Sequence, residues 1–177
     1  TDLLTDRAVE FVRRQSSEKP FLLSLHYNAP HWPWETRDDE AESKRIGAKI
    51  AHLDGGSVKT YLEMIRVMDE GIGRVLAALD DVGARENTLV VFSSDNGGER
   101  FSDSYPLVGK KMDLLEGGIR VPYIVRWPAG GLPAGETYDR LAIGMDWTAT
   151  FLAAAGVAAH PDYPLDGIDL FGEEVER

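Results

Sequence analysis

The chain is 177 residues long, 43% apolar and 28% charged, with a net charge of −11 and no cysteine. The length suits one domain able to bury a sizeable core, and the lack of cysteine excludes disulfides, thiolate metal sites and a cysteine nucleophile on this chain. The acidic balance disfavours non-specific nucleic-acid binding, and no apolar run reaches the roughly 18 residues that a membrane span needs.

The opening Thr1-Asp2-Leu3-Leu4-Thr5-Asp6 has neither the basic nor the apolar region of a signal peptide. Thr5 is expected to cap a helix running to Gln15, with Val9 and Val12 inward. Phe21 to Tyr27, bounded by Pro20, reads as a short buried strand. Asn28 to Gly56 is a long polar stretch, beyond the ~12–15 residues usual for a loop. Its charged middle, Thr36 to Lys49, reads as a short exposed helix. From Val58 to Leu79, apolar residues recur at helical spacing, with Ser57 as N-cap and Gly83 as stop. Leu89 to Ser94 and Val121 to Trp127 read as strands, and Asp146 is expected to cap a last helix through Ala155, stopped by Gly156. The tail from His160 reads as loop, with Asp166-Gly167-Ile168-Asp169-Leu170 starting a further element. The order implies an α/β sheet with helices on its faces. Only about three core strands are supplied, against the ~5–6 of a mean sheet, so the chain reads as part of a larger α/β unit.

Three constellations carry chemistry. Val90-Val91-Phe92-Ser93-Ser94 ends in Asp95-Asn96-Gly97-Gly98. A charged and a neutral oxygen donor side by side suit Ca²⁺ or Mg²⁺, and ligands of open α/β sheets bind at strand carboxyl ends. The same Asn-Gly pair is equally a hairpin-turn signal. Ala29-Pro30-His31-Trp32-Pro33 follows the expected first strand, so His31 also lies at a strand's carboxyl end, in a loop stiffened by two prolines. A surface histidine in a proline-rich loop is the plain alternative; His26, within the expected strand, reads as a packed or hydrogen-bonded core residue, and His52 and His160 carry no pattern. Lys110-Lys111 precedes Glu116-Gly117-Gly118-Ile119-Arg120. A lysine ammonium suits a sulfate or phosphate oxygen, Gly117-Gly118 permits close backbone approach, and Glu116 and Arg120 are spaced to pair across a turn. A solvated charged turn is the alternative there.

In order and spacing these segments resemble the sulfatases, within the alkaline-phosphatase-like superfamily. The resemblance runs through Lys19-Pro20-Phe21-Leu22, the Ala-Pro-His-x-Pro loop and Tyr61 to Gly73. It continues with Ser94-Asp95-Asn96-Gly97-Gly98, Gly109-Lys110-Lys111, Glu116 to Pro122, Asp146-Trp147-Thr148-Ala149-Thr150 and Asp166-Gly167. It implies that residues 1–177 form the C-terminal portion of a sulfatase catalytic domain, a partial alkaline-phosphatase-like α/β sheet flanked by helices. It implies Asp95 and Asn96 as two ligands of one Ca²⁺, Lys111 as the sulfate-contacting lysine, and His31 as the histidine near the leaving oxygen. The family's nucleophile is a formylglycine made in a Cys/Ser-x-Pro-Ser-Arg motif, which this sequence lacks, as it lacks the family's N-terminal Asp-Asp metal pair and its Lys/His pair. The isolated chain is therefore expected to be inactive. The resemblance implies a sulfate-ester small molecule or glycan as substrate, no nucleic-acid or membrane partner, and a periplasmic or secreted setting. An exposed sheet edge is expected to promote self-association. The alternatives are a phosphodiesterase or phosphonate monoester hydrolase of the same superfamily, and a non-catalytic module binding an anion or a partner.

Overall fold

The computed structural model describes residues 1–16, 18–46 and 55–172. They divide into two compact units, one from Thr1 to Pro133 and a second beginning at Ala134. In the first, helix α1 (Asp2–Arg13) packs against the long helix α3 (Val58–Asp81). Asp2 in the first turn of α1 and Arg13 in the last complement its dipole. Val9 and Val12 turn inward onto Ala78 and Leu79. Each fully buried aliphatic side chain of this kind contributes about 1.5–3 kcal/mol of apolar transfer.

Thr5 is not the cap of α1. The helix starts earlier, with Thr1 in the cap position, and Thr5 lies fully buried one turn inside. Its hydroxyl is 3.2 Å from the Thr1 carbonyl and 2.9 Å from the Tyr27 hydroxyl. A side chain at Gly71 would overlap Thr5 Oγ1 and come within 2.9 Å of the Tyr27 oxygen, so glycine lets α3 close on both. Helix α3 has the expected ends: Ser57 Oγ accepts the Thr60 N–H at 3.1 Å, and Gly83 takes φ +70° while Ala84 N–H reaches the Leu79 carbonyl.

The strand expected at Phe21 to Tyr27 does not form. These residues alternate half-buried and exposed with the period of a strand, and Phe21 and Leu23 pack on the α1–α3 core. A β-strand exists through its ladder, and none of the described residues pairs with this segment. Strand β1 (Val90–Ser93) pairs antiparallel with β2 (Tyr123–Arg126), from Val90 opposite Arg126 to Ser93 opposite Tyr123. Helix α2 (Glu40–Ile46) occupies part of the expected 36–49 helix. Residues 36–39 of that stretch are not helical, and 47–49, with His52, lie outside the described residues. Short helix α4 (Glu116–Ile119) precedes β2.

In the second unit, helix α5 (Asp146–Ala154) ends at Gly156 (φ +66°) as expected, but Asp146 is not its N-cap. Asp146 is fully buried inside the first turn and its carboxylate accepts N–H groups of Ile143 (2.8 Å) and Ile168 (3.0 Å). Thr150 Oγ1 donates to the Asp146 carbonyl and accepts the Leu170 N–H at 2.9 Å. Residues 166–170 therefore start no new element; two polar side chains of α5 hold them as a strap.

Candidate functional site

The turn after β1 is knitted to the loop before β2 through backbone. Gly97 N–H donates to the Gly118 carbonyl at 2.8 Å, Lys111 N–H to the Gly98 carbonyl at 2.8 Å, and Gly117 N–H to the Val108 carbonyl at 2.8 Å. Such bonds require glycines. A Cβ at Gly97 would overlap the Gly117 carbonyl, and one at Gly117 would overlap that of Gly109. The knot seats Asp95-Asn96 against the segment that carries Lys111. The hairpin reading of Asn96-Gly97 fails, because β1 pairs with β2 across the whole 94–122 excursion and not across a tight turn.

Neither the Asp95 carboxylate nor the Asn96 amide engages in a hydrogen bond or ion pair among the described residues, and both follow directly on the strand end. An uncommitted carboxylate beside an uncommitted amide oxygen fits a hard cation, which takes 6–8 oxygens. Among the described residues, no group of three His, Cys, Asp or Glu side chains gathers as a metal cage. These two residues thus fit part of such a site.

Lys111 Nζ lies 3.7 Å from Glu99 Oε2, its side chain 24% exposed. Lys110 faces solvent, and its backbone N–H donates to Asp113 Oδ2 at 3.0 Å. Adjacent lysines thus point apart, and only one is drawn into the knot. Glu116 and Arg120 pair at 3.2 Å as their spacing suggested, but with both side chains well exposed the pair contributes little.

His31 is exposed, its Nδ1 2.6 Å from the Trp32 carbonyl oxygen. A carbonyl only accepts, so Nδ1 carries a hydrogen, and Nε2 is the ring nitrogen left without a hydrogen-bond partner among the described residues. The loop is anchored behind it by Trp34, which is buried with Ala29 and Met64. The Trp34 ring meets Phe101 edge-on at 5.0 Å, and Tyr61 lies 6.4 Å from Phe101. Burial in this cluster pushes the Tyr61 phenol pKa up. Phe101 belongs to the turn that follows Asp95-Asn96, so the aromatic cluster joins the histidine loop to the turn after β1. No hydrogen bond or ion pair joins His31 itself to Asp95, Asn96 or Lys111.

Downstream of Trp34, Arg37 grips Asp2 of α1 with two bonds (2.7 and 2.6 Å) and Glu70 of α3 at 3.0 Å. Glu70 also pairs with Arg66, which grips Glu63. The hydrogen bond from Arg37 holds the Asp2 carboxyl below its ordinary value, and that from Arg66 does the same for Glu63. Sequence reasoning missed Glu99, Arg100, Trp34 and Phe101 in this arrangement. For Glu99, Arg100 and Phe101 the one signal was the Glu99-Arg100-Phe101-Ser102 run directly after the paired glycines.

The sulfatase family model matches residues 1–157. N-acetylgalactosamine-6-sulfatase of Canis lupus familiaris is 32% identical over 177 residues, covering 96% of this chain and 31% of that protein. Steryl-sulfatase of Mus musculus is 36% identical over 183 residues, covering 96% and 27%. The crystal structure of Ps i-CgsB in complex with k-i-k-neocarrahexaose superposes with a TM-score of 0.80 at 35% identity, covering 96% of this chain and 37% of that one. The chain thus spans about a third of the length of these relatives. The likeness makes its fold part of an alkaline-phosphatase-like α/β domain.

Proposed function

Because this chain belongs to the sulfatase family, we propose that it is part of a sulfuric ester hydrolase. In this reading it contributes the second half of the cation site and one side of the sulfate clamp. The attacking group comes from elsewhere in a longer protein, since this sequence has neither a cysteine nor a Cys/Ser-x-Pro-Ser-Arg motif. The observation that carries the reading is the glycine knot, which seats the uncommitted Asp95-Asn96 oxygens against the segment presenting Lys111. Two further features support a covering polypeptide. Arg126 Nε and Nη2 are buried without an acceptor among the described residues, where buried donors are almost always paired. Met112 and Leu114, 91% and 90% exposed, and Leu115 and Ile119 are large apolar side chains left open to solvent in the segment that carries the knot.

Asp95 and Asn96 would hold Ca²⁺, which when bound supplies Lewis-acid neutralisation of sulfate oxygens. Lys111 exchanges its Glu99 partner for a sulfate oxygen and adds a point charge where negative charge is held. As the bond from sulfur to the ester oxygen breaks, the departing alkoxide takes a proton from His31. The Nδ1 hydrogen is committed to the Trp32 carbonyl, so the transferred proton is the one on Nε2. Only the imidazolium carries it, and transfer leaves neutral His31 with its Nδ1 bond intact. The oligosaccharide complex of Ps i-CgsB supports a glycan sulfate ester as substrate class.

The test uses a longer protein carrying this segment. Turnover of an aryl sulfate, an aryl phosphate diester and a phosphonate monoester is compared before chelation, after chelation and after Ca²⁺ is restored. Preferred sulfate hydrolysis, lost on chelation and restored by Ca²⁺, is the expected result. Preference for the phosphonate or phosphate ester would move the protein to the phosphohydrolases of the superfamily. Sulfate binding without hydrolysis of any ester would make it a binding module. The 177-residue chain alone is expected to turn over nothing; aryl sulfate hydrolysis by it, abolished by His31→Ala, would overturn the division of labour.

A further inference from the structure

Among the described residues, two that are not glycine adopt left-handed backbone: Phe101 at φ 71° and Met112 at φ 80°. Each directly follows a basic residue, Arg100 and Lys111 respectively. A bulky side chain in this region is a costly outlier, and such outliers concentrate where the chain must present a group in a set direction. At Phe101 the cost is offset by packing its ring on Trp34 and Tyr61. The turn is closed by Ser102, whose hydroxyl donates to the Glu99 carbonyl at 2.7 Å. A side chain at Gly98 would overlap Ser102 Oγ, so the glycine is needed for this closure too.

The turn delivers two charged groups in sequence. Glu99 faces Lys111. Arg100 lies with its Cζ 4.6 Å from the Phe101 ring centre and 5.2 Å from that of Trp34. A guanidinium against aromatic faces is held by cation–π attraction and keeps its N–H donors in its own plane, along the edge of the stack. Arg100 remains exposed. Consecutive Cα atoms are about 3.8 Å apart, so the Arg100 head and the Glu99–Lys111 pair originate from one spot on the surface. The cluster that steadies Arg100 is the same one that anchors the His31 loop through Trp34.

We propose that Arg100 is a specificity-determining contact for a second anionic group on the substrate. The site then favours an oligosaccharide carrying more than one sulfate over a singly sulfated small molecule. The proposal rests on the sulfatase reading for Lys111 and His31, and extends it to what lies beside the ester that is cleaved. Arg, not Lys, suits the task, because its planar fork takes two oxygens of one oxyanion while its face stays on the rings.

The experiment compares Arg100→Met and Arg100→Lys with the unchanged longer protein carrying this segment. Methionine keeps an apolar, polarisable cover on the rings; lysine keeps the charge without the flat stack. Kinetics are measured on an aryl sulfate, a monosulfated disaccharide and its disulfated counterpart, and calorimetry measures binding of both disaccharides. Arg100→Met is expected to raise KM for the disulfated sugar ~10–100-fold, as loss of a charged hydrogen-bond partner does. kcat, and both parameters on the two singly sulfated substrates, should stay as they were, with Arg100→Lys intermediate. Equal effects on all three substrates, or none, would overturn the proposal and return Arg100 to covering the rings. Arg100-dependent binding that prefers the disulfated sugar, without hydrolysis of any substrate, would support the contact and refute the sulfatase reading. Hydrolysis without that preference would do the reverse.

Discussion

Replacing each of the adjacent lysines with alanine gives the sharpest contrast available at this site. Lys111 lies within the glycine knot and 3.7 Å from Glu99, whereas Lys110 points to solvent. Two unit charges about 4 Å apart interact by about 1 kcal/mol in water and about 4 kcal/mol at an effective dielectric of 20. The two side chains are 24% and 37% exposed, so solvent screening reduces the net value of the pair to about 1 kcal/mol or less. That is the cost of releasing Lys111 to an incoming sulfate. A preorganised electrostatic donor at a developing charge contributes about 3–4 kcal/mol. The second effect wins, and Lys111→Ala in the longer protein should lower kcat/KM by about 2–4 kcal/mol, or ~30–1000-fold. Lys110→Ala should cost less than about 1 kcal/mol, as for other exposed charges. Glu99→Gln, which removes the competing partner, should lower KM by no more than about fivefold. Steady-state kinetics on the three variants decides the matter. Equal losses at the two lysines, or a larger loss at Lys110, would refute the assignment of the loop. A large loss with Glu99→Gln would show instead that the carboxylate acts on the substrate or the metal.

The His31 geometry predicts a leaving-group effect: His31→Gln should lower kcat markedly with a poor leaving group and little with a good one, and equal losses with both would remove the histidine from proton transfer. The Asp2–Arg37 contact is expected to be acid-sensitive. The Asp2 pKa is lowered from 3.8, so this contact contributes fully above about pH 4 and its contribution fades as pH falls below that value. Arg37→Ala should remove this part of the acid dependence in urea melts followed between pH 3 and 6. A dependence identical in the variant would show that other carboxylates control it. Gly117→Ala drives a methyl into backbone atoms that cannot step aside, Gly109 C at 2.6 Å and Val108 O at 2.8 Å. Overpacking and loss of the Gly117–Val108 bond should together destabilise the protein by about 2–4 kcal/mol. A midpoint in urea unchanged from the parent would mean that the knot is loose.

What proved legible in the sequence was local. Apolar spacing gave α3 almost to its ends and the body of α1, since a buried helical stripe leaves its period in any chain that forms one. Ser57, Gly83 and Gly156 are legible because caps act through backbone geometry within a few residues. Thr5 and Asp146 were misread for the same reason. Both are types that cap helices, yet each serves a distant partner, Tyr27 in one case and Ile168 in the other. A short apolar run after Pro20 also marked Phe21 to Tyr27 as a strand, and the alternation of burial is there, but a ladder needs a neighbour that no local run supplies.

The sequence by itself determined the sulfatase family and the partial α/β character of the chain, because that order of motifs is rarely reached by chance, and it named Asp95, Asn96, His31 and Lys111 as candidates. Tertiary structure alone decided the rest. It drew Lys111 and not Lys110 into the glycine knot, and it committed the Nδ1 of His31 to a carbonyl. It also brought Trp34 against Phe101 across a gap of 67 residues, stacking Arg100 on both. Side-chain direction and long-range contact come from close packing of segments far apart in the chain, and no local pattern carries that information.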